Sequence, residues 1–258
     1  PQTPATATGA APVPASGAGG GLNGEIRPIL FADIVAFSGA NRTDTDRLVV
    51  RKALYAVLQE AFKRSGVPWD RAHCEDRGDG ALIVLPADVP AHLVLGPLAA
   101  HIATGLRVHN RSAASAVRIR LRLALDAGPV TGDAHGVSGS AIIHAARLLD
   151  AAEFKRRMAG SPAELGLIVS GYVYDSVVKH APGRVDPSFY QRIDVAEKET
   201  RAHAWIALAG QPGPGERSRC DGGPARSGAR AGDHARAVRA ARPYRRTPDG
   251  AAAAPRRG

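Results

Sequence analysis

Two aspartates set the chemical question. Asp33 lies in FADIVAFSG (residues 31–39), a run otherwise apolar on either side of it, and Asp79 lies in AHCEDRGDGALIVLP (residues 72–86), at a Gly-Asp-Gly. A carboxylate in a buried strand is costly unless it is paired, hydrogen-bonded or bound to a metal. If the two segments are neighbours in a sheet, the carboxylates share one end of it, and left alone they repel and raise one pKa. A divalent cation removes that conflict. Magnesium takes one or two carboxylates and completes its shell with water and substrate phosphates. The backbone just after Asp33, through Phe37 and Ser38, offers N–H groups to phosphate oxygens. The plain structural alternative is a turn residue and a strand-end cap.

Elements that would position these groups are legible. Residues 25–37 read as a first strand. Thr43 or Thr45 caps a helix with Asp44 and Asp46 in its first turn, and Val50, Leu54, Val57, Leu58, Ala61 and Phe62 recur at helical spacing until Arg64-Ser-Gly-Val-Pro. Residues 72–86 read as two strands joined at Gly78-Asp79-Gly80, and a second helix covers about residues 90–109. In VRIRLRLALDAG, Val117, Ile119, Leu121, Leu123 and Leu125 fall on one face and Arg118, Arg120 and Arg122 on the other, a stripe expected at the water or a dimer rim. A helix from about residue 139, a strand near 165–170, a helix near 171–181 and a strand pair at 190–196 and 202–208 complete the chain. The expected fold is α+β: a ferredoxin-like βαββαβ sheet with helices on one face, the other left for a ligand or partner, plus additional C-terminal strands.

The 258 residues divide by composition. Residues 1–23 are almost entirely Pro, Ala, Thr, Gly and Ser, and residues 210–258 are rich in Arg, Ala, Gly and Pro. Neither segment carries enough apolar surface to offset its ordering entropy, so both are expected to be disordered, leaving residues 24–209 as one domain. The tail holds eleven Arg against four acids, +7 of the +10 net charge, so the domain itself is close to neutral. A basic tail of this kind binds nucleic acid or anionic membrane, or is simply solvated. Cys74 and Cys220 supply neither a disulfide framework nor a zinc spacing. The longest apolar stretch, residues 92–106, contains Gly, Pro and two His and is too short to span a bilayer; a cytoplasmic location is the expectation.

Taken in order, FADIVAFSG, EDRGDGALIVL and LALDAGPVTGDAHGVSGSAIIHAARLL resemble the class III nucleotide cyclase catalytic domain. That family shows FADI-x-GF-[ST], a Gly-Asp turn, and a helix with G-x-x-x-N-x-A-x-R. The resemblance covers roughly residues 27–208. It implies a nucleoside triphosphate substrate and two Mg²⁺ or Mn²⁺ ions held by Asp33, Asp79 and the carbonyl of Ile34. It implies Arg147 as the arginine on the phosphoryl oxygens, Lys198 as a triphosphate-binding lysine, and Glu75 as a base reader that leans towards guanine. It also implies a head-to-tail homodimer with composite sites. The chain departs from the pattern at Ile143, where the family has a ribose-orienting asparagine, and near Gly136, the second base-reading position. A catalytically degenerate domain that binds nucleotide as a sensor or scaffold is the alternative these departures favour.

Overall fold

The computed structural model describes residues 22–181 and 183–209, so the two segments expected to be disordered lie almost wholly outside the described residues. The first strand, β1 (Asn23–Ile34), is followed by helix α1 (Asp44–Ser65) and a hairpin of β2 (His73–Asp76) and β3 (Gly80–Val84). Helical turns at α2 (Ala91–Leu93) pass through a wide π-type turn, Val94–Leu98, into α3 (Ala99–Ser112). Pro97 sits inside that wide turn, where its missing N–H and bulky ring disturb regular helix least. Next come β4 (Leu121–Asp133), β5 (Gly136–Ser138), α4 (Ser140–Asp150), α5 (Ala152–Ala159) and β6 (Leu165–Ser170). A short α6 (Gly171–Val173) with its own π-type turn leads to the closing hairpin, β7 (Gln191–Glu197) and β8 (Thr200–Leu208).

The strands form one sheet in the order β2-β3-β1-β4-β6-β8-β7, with β5 paired to the far end of β4. Only β4 and β6 run parallel among these neighbours. The βαββαβ order is as expected. Thr43 is the α1 cap: its hydroxyl accepts the Asp46 N–H at 3.2 Å while the Asp46 carboxylate accepts the Thr43 N–H at 2.8 Å. Gly66, in the left-handed region, ends the helix.

Alternation along β1 sends Leu30, Ala32 and Ile34 to one face, where Val50, Leu54, Leu58 and Phe62 of α1 meet Ile102 and Leu106 of α3. Ile29 and Phe31 face the other way. That second face was expected to stay open for a ligand or partner; instead α4 and α5 cover much of it. Ile142, Ala145, Leu148 and Phe154 pack there against Ile29, Phe31, Ala124 and Ile168. The physical reason is that Ile29, Phe31, Leu82 and Val84 make this face as apolar as the first.

The arginine stripe also differs from expectation. Arg118 is exposed, but Arg120 donates to the carbonyls of Ala163 (2.9 Å) and Ser161 (2.6 Å) and to that of Met158, and Arg122 is turned onto Asp33. The strand itself begins at Leu121 rather than Val117. Ahead of it the buried Asn110 side chain brackets Ile119, accepting its N–H and donating to its carbonyl, both at 2.8 Å. Among the described residues no helix is long and apolar enough to cross a membrane.

Candidate functional site

Cross-strand register places Asp33 opposite Gly80 on β3 and opposite Arg122 on β4. Past the last pair, the Ile34 N–H donates to the carbonyl of Asp79 at 2.9 Å. The turn bearing Asp79 is thereby fastened to the strand bearing Asp33. Glycine is required at position 80, because a Cβ there would strike the Ala32 carbonyl oxygen.

Asp33 is half-committed. The Arg122 guanidinium forks onto Oδ2, Nε at 3.0 Å and Nη2 closer, with both side chains largely shielded from water. Oδ1 has no partner among the described residues and is not sealed in. Burial lifts the Asp33 carboxyl above the usual range; Arg122 pulls it down, and the charge of Asp79 pushes it up again. Among the described residues no three His, Cys, Asp or Glu side chains converge as a metal cage. Two carboxylates beside a main-chain carbonyl are nonetheless the hard oxygen donors that a hydrated Mg²⁺ needs.

The loop after β1 is tightly wound. Ala36 adopts φ 55°, where the cyclase pattern has glycine, and the Phe37 N–H turns back to the Ile34 carbonyl at 3.3 Å. Phe37 packs on the core, and its N–H, one of the two donors expected for a phosphate, is turned onto the Ile34 carbonyl. The exposed Ser38 N–H is unpartnered among the described residues. The Ile34 carbonyl keeps a second lone pair.

The remaining predicted residues gather elsewhere. Arg147 on α4 reaches Glu199 at 3.4 Å, beside Lys198 in the β7–β8 turn, and its Nε is buried without a partner. Lys198 is exposed, with φ 50°. Because β6 runs parallel to β4 and β8 runs back along β6, this turn lies at the opposite end of the sheet from Asp33. About ten residue steps separate the two levels, roughly 30 Å of extended strand. One chain does not bring Arg147 and Lys198 to Asp33.

Glu75 and Gly136, distant in sequence, do meet. A Cβ on Gly136, which has φ 133°, would come within 2.9 Å of Glu75 Oε1. Glu75 is already engaged on both oxygens, by His73 Nε2 at 2.8 Å and Arg77 Nη2 at 2.7 Å. Arg71, on the same segment, pairs instead with Asp88.

Three supporting residues escaped sequence reasoning. Arg122 was visible only as one of a stripe, and its role needed the β1–β4 register. Asp76 uses both oxygens, Oδ1 accepting the Gly78 N–H at 2.6 Å, Oδ2 accepting the Tyr55 hydroxyl at 2.8 Å and pairing with Arg51; it ties the turn to α1. Asp126 on β4, buried to 4% exposure, holds His144 of α4 at 2.7 Å.

No family model matches the chain, and no curated protein matches it. Solved structures do. The adenylate/guanylate cyclase/hydrolase from Silicibacter pomeroyi is 20% identical with TM-score 0.51, over 72% of this chain and 98% of that one. The guanylate cyclase domain of RhGC from Catenaria anguillulae, solved with GTP, is 21% identical with TM-score 0.47, over 72% and 97%. The fold is that of a class III nucleotide cyclase domain. Within this cyclase fold, β1 and the β2–β3 turn carry the acidic pair, while α4 and the β7–β8 turn carry the cationic pair.

Proposed function

We propose that residues 24–209 form a nucleotide cyclase domain that converts a nucleoside triphosphate, with a lean towards GTP, into the 3′,5′-cyclic monophosphate and pyrophosphate. The observation that carries this reading is the fastening of Asp33 and Asp79 at one sheet end, with Asp33 Oδ1 unclaimed. Asp33, Asp79 and the Ile34 carbonyl would hold two Mg²⁺ or Mn²⁺ ions. Bound there, the metals supply charge neutralisation of the triphosphate and ease loss of the proton from the attacking hydroxyl.

The chain's own groups do the positioning. Arg122 fixes the Asp33 carboxylate plane from one side, so that only Oδ1 faces the site. The Ser38 N–H is set to meet a phosphate oxygen. Arg147 brings an always-charged fork to the α-phosphoryl oxygens, and its orphaned Nε is a donor awaiting an acceptor. Lys198 meets the outer phosphates. Catalysis of this kind is positioning plus charge stabilisation. Glu75 is an acceptor-only group suited to the donors on guanine's Watson–Crick edge, held in one orientation by His73 and Arg77.

The separation of the acidic and cationic pairs within one chain supports a head-to-tail homodimer, each site drawing one half from each protomer. The second reading is a degenerate domain that binds nucleotide without turning it over. Ile143 favours it, being 52% exposed with nothing to offer a ribose. Incubating the protein with each of the four NTPs and Mg²⁺ or Mn²⁺, then searching for cyclic product by mass spectrometry, separates the readings. Cyclic product supports the enzyme; nucleotide binding with no product supports the sensor.

A further inference from the structure

We propose that a pocket at the C-terminal end of α3 binds a compact phosphate-bearing ligand through Arg107, Arg111 and Arg118. It uses neither the acidic nor the cationic pair, so it does not depend on the cyclase reading. The pocket, of about 530 Å³, lies between the last turns of α3, the segment leading into β4 and the loop joining α5 to β6, with Leu165 and Ala209 among its apolar walls. That volume is in the range of small-molecule sites. Leu121 and Leu165 belong to the core on the α1–α3 side of the sheet, whereas Asp33, between Ala32 and Ile34, alternates to the α4–α5 side. The pocket is thus on the opposite face from Asp33.

Charge on this pocket is unbalanced. Three guanidinium groups line it against one carboxylate, Glu164, and none of the three pairs with an acid among the described residues. Glu164 Oε1 instead accepts the Asn110 amide at 2.8 Å. Arg107 uses Nη2 on the Thr104 hydroxyl at 3.0 Å, and Arg118 uses Nε on the Ala113 carbonyl at 3.3 Å. Arg111 has no partner among the described residues. Arg107 and Arg111, four apart, are like charges on one helix face, which costs stability unless an anion answers them. A helix C-terminus favours a cation and so accounts for Arg111, but not for Arg118, which comes from beyond the helix. Forked, permanently charged donors suit phosphoryl oxygens. The cations do not continue along the surface, since residues 112–117 contain no Lys or Arg. A nucleic acid strand needs such a track, so a compact ligand is the better fit.

Calorimetry on the full chain tests this, at about 0.15 M salt and with EDTA to remove divalent metals. The probes are inorganic phosphate, pyrophosphate, AMP, succinate and a short single-stranded RNA. Wild type is compared with Arg111→Gln, Arg107→Gln/Arg111→Gln and Arg147→Ala/Lys198→Ala, each checked for folding by its melting temperature. Residues 210–258 carry the same Arg in every variant, so anion uptake by them cancels in the comparison. Wild type should bind at least one of the three phosphate-bearing small probes saturably. Binding should weaken about tenfold in Arg111→Gln, the scale of one charge-assisted hydrogen bond, and be lost when Arg107 is also replaced. Arg147→Ala/Lys198→Ala should bind as wild type does. AMP bound more tightly than phosphate and pyrophosphate assigns a phosphate ester; the reverse assigns the free anion. The proposal is overturned by no saturable binding, by wild-type affinity in a folded Arg111→Gln, or by loss in Arg147→Ala/Lys198→Ala. Succinate bound as tightly as the phosphates, or RNA bound more tightly than every small probe, overturns it equally.

Discussion

The Ile34 N–H donates to the Asp79 carbonyl at 2.9 Å, so the last residue of β1 and the tip of the β2–β3 turn are one hydrogen bond apart. Two carboxylates far apart along the chain thereby sit at a common sheet end, the juxtaposition on which the metal-assisted reading depends. Arg122 and Asp76 brace it from either side, the first gripping Asp33 and the second tying the turn to α1.

Gly80→Ala should break this fastening. The new Cβ would meet the Ala32 carbonyl, which is backbone and has no room to yield. A stability loss of about 2 kcal/mol is expected from backbone displacement of this kind, together with a higher metal concentration needed for activity. Urea denaturation and metal titration of activity check both. A variant as stable and as metal-responsive as wild type would mean the close approach is not needed.

Ile143→Asn places a hydrogen-bonding side chain on the exposed arc of α4, where it replaces a half-exposed apolar group. Fold stability should stay within about 0.5 kcal/mol, the usual range for surface changes. Turnover should rise if the site is an eroded enzyme. Unchanged turnover, measured as cyclic product per unit time, would favour a site devoted to binding.

Asp76 makes stability sensitive to acid. Burial works against its ionisation, but hydrogen bonds from Arg51, the Gly78 N–H and Tyr55 outweigh it and hold its pKa below the ordinary value. A depressed carboxylate contributes stability that is present above the unfolded pKa, near 4, and is lost as pH falls through the folded value. Asp76→Asn should therefore be less stable than wild type at neutral pH, with the gap narrowing below about pH 4. Chemical denaturation at several pH values reads it; a constant gap would contradict the assignment.

What the sequence discloses and what it hides divide along physical lines. Local signals carried the strand around Asp33, the Thr43 cap, the Gly78–Gly80 turn and the alternation through Leu121, Leu123 and Leu125, because each depends on neighbours in the chain. Arg122 pairing with Asp33 depends on β-register across 89 positions, and so was misread as a stripe facing water. The contact between His144 on α4 and Asp126 on β4 likewise joins two elements and is not visible from either segment alone. The covering of the second sheet face by α4 and α5 was missed because a short apolar strand does not announce whether one face or both will be buried.

The central claim is that a reactive centre forms only when the acidic end of one protomer meets the cationic edge of another. Complementation tests it most directly. Asp33→Asn and Arg147→Ala should each be folded and yield no cyclic nucleotide alone. Mixed in equal amounts and allowed to exchange subunits, they should recover up to about a quarter of wild-type activity, since half the dimers are mixed and each mixed dimer has one intact site. Activity in either variant alone, or no recovery on mixing while the wild type is active, would contradict the account.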